Sequence, residues 1–62
     1  MKIKEIIKTL ENNGWKFVRQ KGSHKIYKHP EKEGIVVVPD HGLNKDVARG
    51  TENSIMKQAG LK

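Results

Sequence analysis

Cysteine is absent from this chain of 62 residues. Its absence excludes disulfide bonds and thiolate metal sites, and it is typical of proteins from a reducing compartment. No apolar run approaches the roughly 20 residues that a membrane-spanning helix needs. The N-terminus does not resemble a signal peptide, because Lys2, Lys4, Glu5 and Lys8 interrupt its apolar residues. We therefore expect one small cytoplasmic domain over residues 1–62, with no membrane partner.

Aromatic residues are also scarce, with one Trp, one Tyr and one Phe. A single tryptophan serves either as a core residue or as a platform on which an unpaired base stacks. A chain of this size buries only about 60% of the surface that its unfolded form exposes, so its core depends on each large side chain. We therefore expect Trp15 to be buried.

Acidic residues are missing from one stretch of an otherwise mixed sequence. Thirteen Lys and Arg residues oppose seven Asp and Glu residues, which gives a net charge of +6. The stretch from Trp15 to His29 contains no acid and five cations: Lys16, Arg19, Lys21, Lys25 and Lys28. Such a concentrated patch indicates a surface for a polyanion, whereas a diffuse excess of lysine would serve only solubility. We predict that these five cations and Gly22 bind an RNA backbone.

Hydrophobic periodicity predicts a helix near each end of the chain. Apolar residues at positions 3, 6, 7 and 10 share one face of a helix over about 2–12, which Asn13-Gly14 ends. A second helix is predicted over about 44–58, with Asn44 as its N-cap and Ala59-Gly60-Leu61 as its stop. Its expected apolar stripe is Val47, Ala48, Thr51, Ile55, Met56 and Ala59.

Three strands are predicted between the helices, over about 15–19, 23–28 and 35–38. Alternation places Trp15 and Phe17 on one face of the first strand, and His24 with Ile26 and Lys28 on one face of the second. The β-branched run over 35–38 predicts a strand buried on nearly both faces. The predicted fold class is α+β: a three-stranded antiparallel sheet in the order α-β-β-β-α, with two helices on one face.

His24 is the strongest candidate for chemistry. It follows Gly22-Ser23, where glycine permits a tight turn and a close approach of a ligand to the backbone. An imidazole suits proton transfer at neutral pH, and RNA cleavage needs a base for the 2′-hydroxyl proton. Ser23 would orient the phosphate or the imidazole. The alternative is that His24 is a polar residue at a strand edge and has no function.

His41 is the candidate for a second acid–base or orienting group, with Asp40 placed to orient its ring. The alternative is that His41 only ends a strand. Lys25 and solvent are the other sources of a second proton. His29 precedes a proline, which predicts an exposed residue at the end of a strand. Histidines and Asp40 are potential zinc ligands, but their spacing does not favour a metal site, and we expect no metal or cofactor.

Several segments together resemble the HicA family of mRNA interferase toxins. They are Gly22-Ser23-His24, Val38-Pro39-Asp40-His41, Gly50-Thr51 and the run over 55–61, and they occur in order along nearly the whole chain. The resemblance implies a fold similar to a double-stranded-RNA-binding domain. It also implies metal-independent cleavage of mRNA and neutralisation by a HicB-type antitoxin. The family's catalytic histidine corresponds to His24, and a second recurring histidine corresponds to His41.

The leading hypothesis is therefore an endoribonuclease toxin of a type II toxin–antitoxin system. The runner-up is a non-catalytic RNA-binding module of the same fold, because binding to RNA grooves needs cations and hydroxyls but no imidazole. A third hypothesis is an interaction protein whose basic patch meets an acidic partner. His24 distinguishes the first hypothesis from the other two.

Overall fold

The first helix, α1, extends over Ile3–Asn12 and packs its apolar face into the core. A computed structural model of the chain describes residues 1–61. Gly14 ends the helix with a φ of 91°. The Gly14 N–H donates to the Glu11 carbonyl (3.1 Å) and the Trp15 N–H donates to the Leu10 carbonyl (3.0 Å). These two bonds form a Schellman motif, so the predicted helix and its glycine stop are confirmed.

The second helix, α2, extends over Arg49–Gln58 and ends in the same way. Gly60 has a φ of 71°. The Gly60 N–H donates to the Lys57 carbonyl (3.1 Å), and the Leu61 N–H donates to the Met56 carbonyl (2.9 Å). Leu61 packs partly buried against the core, which is the hydrophobic contact that accompanies this motif. The predicted stop is confirmed.

The predicted start of the second helix is wrong. Ala48 is the N-cap, and Asn44 lies outside the helix. The backbone of residues 43–47 has another role, because it pairs with the start of α1. The Ile3 N–H donates to the Lys45 carbonyl (2.9 Å), and the Lys4 N–H donates to the Leu43 carbonyl (3.0 Å). These donors have no partner within α1, and a helix over 44–48 would withdraw the Lys45 carbonyl that satisfies one of them.

The sheet contains three antiparallel strands in the order β1-β2-β3, as predicted. They are β1 (Lys16–Lys21), β2 (His24–Lys28) and β3 (Val36–Pro39). Lys21 pairs with His24, so Gly22-Ser23 is a two-residue hairpin turn. Gly22 takes a φ of 59° at the first turn position, a conformation that glycine adopts without steric cost.

Both helices pack on one face of the sheet. The core joins apolar residues of α1 and α2 to Trp15 and to three strand residues, Tyr27, Val36 and Val38. Trp15 is 2% exposed, which confirms its predicted place in the core. The prediction that the third strand is buried on nearly both faces is wrong. Ile35 precedes β3 and is 45% exposed, and Val37 is only half-buried, because within residues 1–61 both helices lie against the other face.

The stripe predicted for the last helix is correct only in part. Ile55, Met56 and Ala59 are buried in the core, and Val47 packs against it. Ala48 and Thr51 are exposed instead. Their side of α2 borders a pocket rather than the core. Neither helix in the described part of the chain is long and apolar enough to cross a membrane.

Candidate functional site

The face of the sheet that lies opposite the helices carries most of the predicted site. In an antiparallel pair, residues directly opposite each other point to the same face. Lys16 pairs with Lys28, and Lys21 pairs with His24. Alternation along β2 places His24 and Lys28 on one face, opposite the buried Tyr27. Lys16, Lys21, His24 and Lys28 therefore share the helix-free face, and all four are exposed.

A β-bulge brings Arg19 to this face as well. The pairing of β1 with β2 shifts by one residue between Phe17 and Arg19, so that Arg19 pairs with Ile26. In a regular strand, Lys16 and Arg19 would point to opposite faces, because they are three residues apart. The bulge at Val18 reverses the alternation and gathers the cations on one side. We call Lys16, Arg19, Lys21 and Lys28 the cationic face.

Lys25 is not part of the cationic face, although the sequence places it in the same patch. It pairs with Gln20 and Val38, and so points to the helix-covered face of the sheet. Its ammonium lies 3.4 Å from the Asp40 carboxylate. Asp40, which follows β3, thus neutralises the charge of Lys25, although the stretch from Trp15 to His29 contains no acid. Strand alternation predicts this side for Lys25, and the pairing confirms it, whereas its contact with an RNA backbone stays a prediction.

Asp40 ties the turn after β3 to the β1–β2 hairpin. Its N–H donates to the Ser23 carbonyl (2.6 Å), and its carboxylate accepts the Gly42 N–H (3.1 Å). The Gly42 N–H, and then Lys25, hold the pKa of the Asp40 carboxyl below its ordinary value. The carboxylate oxygens thus serve Gly42 and Lys25, and the charge of His41 also lowers the pKa of this carboxyl, so the orientation of the His41 ring by Asp40 stays a prediction.

A pocket of about 560 Å³ lies between His24, β3 and the segment that leads into α2. His24 and His41 both line it, so the two candidate histidines border the same space. Its other polar lining residues are Lys45, Asp46 and Thr51. Its apolar lining residues are Ile3, Val37, Pro39, Val47 and Ala48. The site thus consists of an exposed imidazole, a cationic surface on one side and a half-apolar pocket on the other.

The sequence matches the family model of the HicA toxin of bacterial toxin–antitoxin systems over residues 3–61. The chain belongs to the HicA toxin family. The resemblance noted from the sequence motifs is confirmed. Membership supports a role as the toxin of a toxin–antitoxin system and implies an antitoxin partner. No curated protein sequence matches the chain.

His29 is a structural residue of this HicA chain. The Glu31 N–H donates to its Nδ1 (3.0 Å), so Nδ1 is the acceptor and Nε2 carries the proton. Nε2 then donates to the Asn13 carbonyl (2.9 Å), and the ring packs edge-to-face on Trp15 at 5.3 Å between centroids. The sequence predicts that His29 is exposed at the end of a strand. This prediction is wrong about exposure, since the ring is half-buried beside the end of α1.

Lys45, Asp46 and Thr51 are the pocket residues that sequence reasoning missed. The predicted helix over 44–58 placed the first two on a helix and gave Thr51 to the core. The place of Lys45 and Asp46 in the pocket follows from the non-helical backbone of 43–47, which no local pattern in the sequence indicates. Within residues 1–61, no group of three or more potential metal-ligating side chains comes together.

Proposed function

We propose that this HicA toxin is an endoribonuclease that cleaves mRNA, with His24 as its acid–base residue and the cationic face as its binding surface for phosphates. One observation carries the proposal. An exposed imidazole pairs directly with Lys21 and shares a face with three further cations. A phosphate attracted to that face lies within reach of an imidazole, which can accept or donate a proton.

The reaction that fits these groups is transesterification within the RNA strand. His24 takes the proton of a 2′-hydroxyl, and the 2′ oxygen forms a bond with the adjacent phosphorus. The bond between phosphorus and the 5′ oxygen of the next nucleotide breaks, and that oxygen receives a proton. The products are a 2′,3′-cyclic phosphate and a 5′-hydroxyl. No redox partner is needed, and the atoms and charges balance.

His41 is the residue that we assign as proton donor to the leaving oxygen, because it lines the same pocket as His24. Lys25 is the weaker choice, since its ammonium pairs with Asp40 and lies on the other face of the sheet. Lys21 and Arg19 stabilise the charge that develops on the phosphoryl oxygens. Gly22-Ser23 forms the turn beside His24, where the small side chains leave room for the RNA backbone.

The antitoxin partner would be of the HicB type and would act by covering this site. The +6 net charge and the cationic face favour a partner that presents acidic groups. Occupation of the face by such a partner excludes RNA phosphates by charge and by volume. A complex that leaves His24 and Lys21 exposed would argue against inhibition by occlusion.

Product analysis tests the proposed reaction. Purified protein is incubated in excess EDTA with a long RNA and with a DNA of the same sequence. We expect the RNA alone to be cut and its new 3′ ends to carry a 2′,3′-cyclic phosphate, since DNA lacks the attacking hydroxyl. Cleavage of the DNA as well as the RNA, or RNA fragments with 3′-hydroxyl ends, would refute the mechanism. Tight binding with both nucleic acids intact would support the non-catalytic RNA-binding module.

A further inference from the structure

We propose that the pocket beside His24 is a subsite for one unpaired nucleobase of the substrate, and that Asp46 selects a base that carries an exocyclic amino group. The inference rests on the proposed function, because it takes the scissile phosphate to lie at His24. It adds the substrate class, single-stranded RNA, and a residue that determines sequence preference.

The size and composition of the pocket fit a base. Its volume of about 560 Å³ lies within the range of about 300–1,000 Å³ that small-molecule sites occupy. Val37 and Pro39 from β3 and Val47 and Ala48 from the segment before α2 give it apolar sides. Apolar sides with a few polar groups suit a flat ring, whose faces need van der Waals contact and whose edge needs hydrogen bonds.

The charge of the pocket distinguishes a base from a phosphate. The cationic face consists of cations alone, whereas the pocket is lined by one exposed acid, Asp46, together with one lysine, Lys45. A carboxylate repels a phosphate, but it accepts hydrogen bonds from the amino groups of cytosine, adenine or guanine. Thr51 adds a hydroxyl that both donates and accepts. The phosphates would therefore follow the strands, and the base would enter the pocket.

The position of His24 connects the pocket with the cationic face. Its side chain borders the pocket and also belongs to the helix-free face. A nucleotide with its base in the pocket thus has its phosphate beside the imidazole. A base that is paired within a duplex cannot reach such a pocket without leaving the stack, so the arrangement favours an unpaired nucleotide over a double helix.

Binding of single-stranded DNA tests the subsite independently of cleavage, since DNA has no 2′-hydroxyl. The parent protein is titrated at fixed salt with a short oligo-dC, oligo-dT or abasic strand of the same length and phosphate charge. We expect oligo-dC to bind at least about fivefold more tightly than the abasic strand, because contacts with a base add to those with phosphates. Oligo-dT should bind less tightly than oligo-dC, and Asp46→Asn should reduce that preference.

Ala48→Phe fills the pocket and should lower the affinity for oligo-dC to that for the abasic strand. Ala48 is exposed and contributes its carbonyl to α2, so the substitution keeps the helix cap. Ser54→Phe places the same ring on an exposed part of α2 outside the pocket and should leave base-dependent binding intact. Circular dichroism confirms that both variants fold.

Equal affinity of the parent for base-bearing and abasic strands would overturn the inference, and so would a base preference that survives Ala48→Phe. Base-dependent binding without RNA cleavage would support the subsite and refute the proposed reaction. Cleavage of RNA without base-dependent binding would support the proposed reaction and refute the subsite. The two proposals can therefore fail separately.

Discussion

His24 stands between two residues that Asp40 fixes. Asp40 bonds to Ser23 through its backbone and to Lys25 through its carboxylate. The imidazole itself is exposed at the hairpin. A ligand-facing group on a short hairpin needs such support, because an error of a fraction of an ångström in its position reduces proton transfer. Asp40 thus acts as a positioning residue for His24 in the proposed reaction.

Replacement of Asp40 by Asn should make stability less dependent on pH. The pKa of the Asp40 carboxyl in the folded chain lies below its ordinary value of 3.8. The ionised form therefore stabilises the fold above that value, and this contribution is lost as the pH falls through the lower, folded-state pKa. The melting temperature of the parent should exceed that of Asp40→Asn at neutral pH, and the difference should shrink below pH 3.8.

Thermal unfolding followed by circular dichroism over a pH series measures this difference. Glu33→Gln, in the exposed loop before β3, controls for the loss of one negative charge. The role assigned to the carboxylate would be contradicted if the difference in melting temperature between the parent and Asp40→Asn stayed constant down to the lowest pH at which both proteins fold.

Gly14 and Gly22 form a matched pair for measuring the contribution of His29. Both have positive φ, so alanine at either position costs about 1–2 kcal/mol in backbone strain. A Cβ at Gly22 meets open space, whereas a Cβ at Gly14 lies 2.6 Å from His29 Nε2. Gly14→Ala must also displace a ring that makes two hydrogen bonds, each contributing about 1 kcal/mol.

We therefore expect Gly14→Ala to lower the free energy of unfolding by about 2–4 kcal/mol, and Gly22→Ala by about 1–2 kcal/mol. Urea denaturation measures both. Equal losses at the two positions would show that the His29 ring moves aside without cost, and that its bonds to Asn13 and Glu31 do not stabilise the end of α1.

At the scale of elements, the bulge in β1 is the feature that arranges the cationic face. Its effect on binding is measurable through salt, because every phosphate contact that a single strand makes contributes about 0.7 to the slope of log K against log salt. Lys28→Ala and Arg19→Ala should each reduce the slope by about that amount. Lys25→Ala should leave it nearly unchanged, since Lys25 lies on the other face and pairs with Asp40.

Lys57→Ala removes an exposed cation of α2 and serves as the control for net charge. Binding of a single-stranded RNA by the His24→Ala protein, measured at several salt concentrations, gives the slopes without cleavage. Equal changes in the salt slope for Lys25→Ala, Lys28→Ala and Lys57→Ala would indicate that the whole positive surface attracts RNA. The cationic face would then have no special role.

The elements were predictable where their signals are local. The period of Ile3, Ile6 and Leu10 and the glycine at position 14 are sufficient to define α1 and its end. The bulge was not predictable, because Val18 fits a regular strand as well as a bulged one. The non-helical segment over 43–47, which begins with a turn, was not predictable either. Its backbone is held by the first N–H groups of α1, which lie about forty residues away in sequence.

At the scale of the whole molecule, the two faces of the sheet have separate tasks. Trp15, Tyr27, Val36 and Val38 form the core with both helices on one side. The other side keeps His24 and the cationic face free for a ligand. The sequence indicated His24, His41 and the cations, because each lies beside a recognisable turn or in a run without acids. It did not indicate the pocket, which forms only when α1, β3 and residues 45–48 come together.

The most direct test of the account compares the parent and His24→Ala proteins on one long RNA in excess EDTA, with binding to the same RNA measured beside cleavage. We predict that His24→Ala folds, binds RNA within a few-fold of the parent and produces no fragments, because the cations remain and the proton acceptor is gone. Equal fragmentation by both proteins would contradict the account, since the catalyst would then lie elsewhere. Loss of binding together with cleavage would also contradict it, and would make His24 a contact residue.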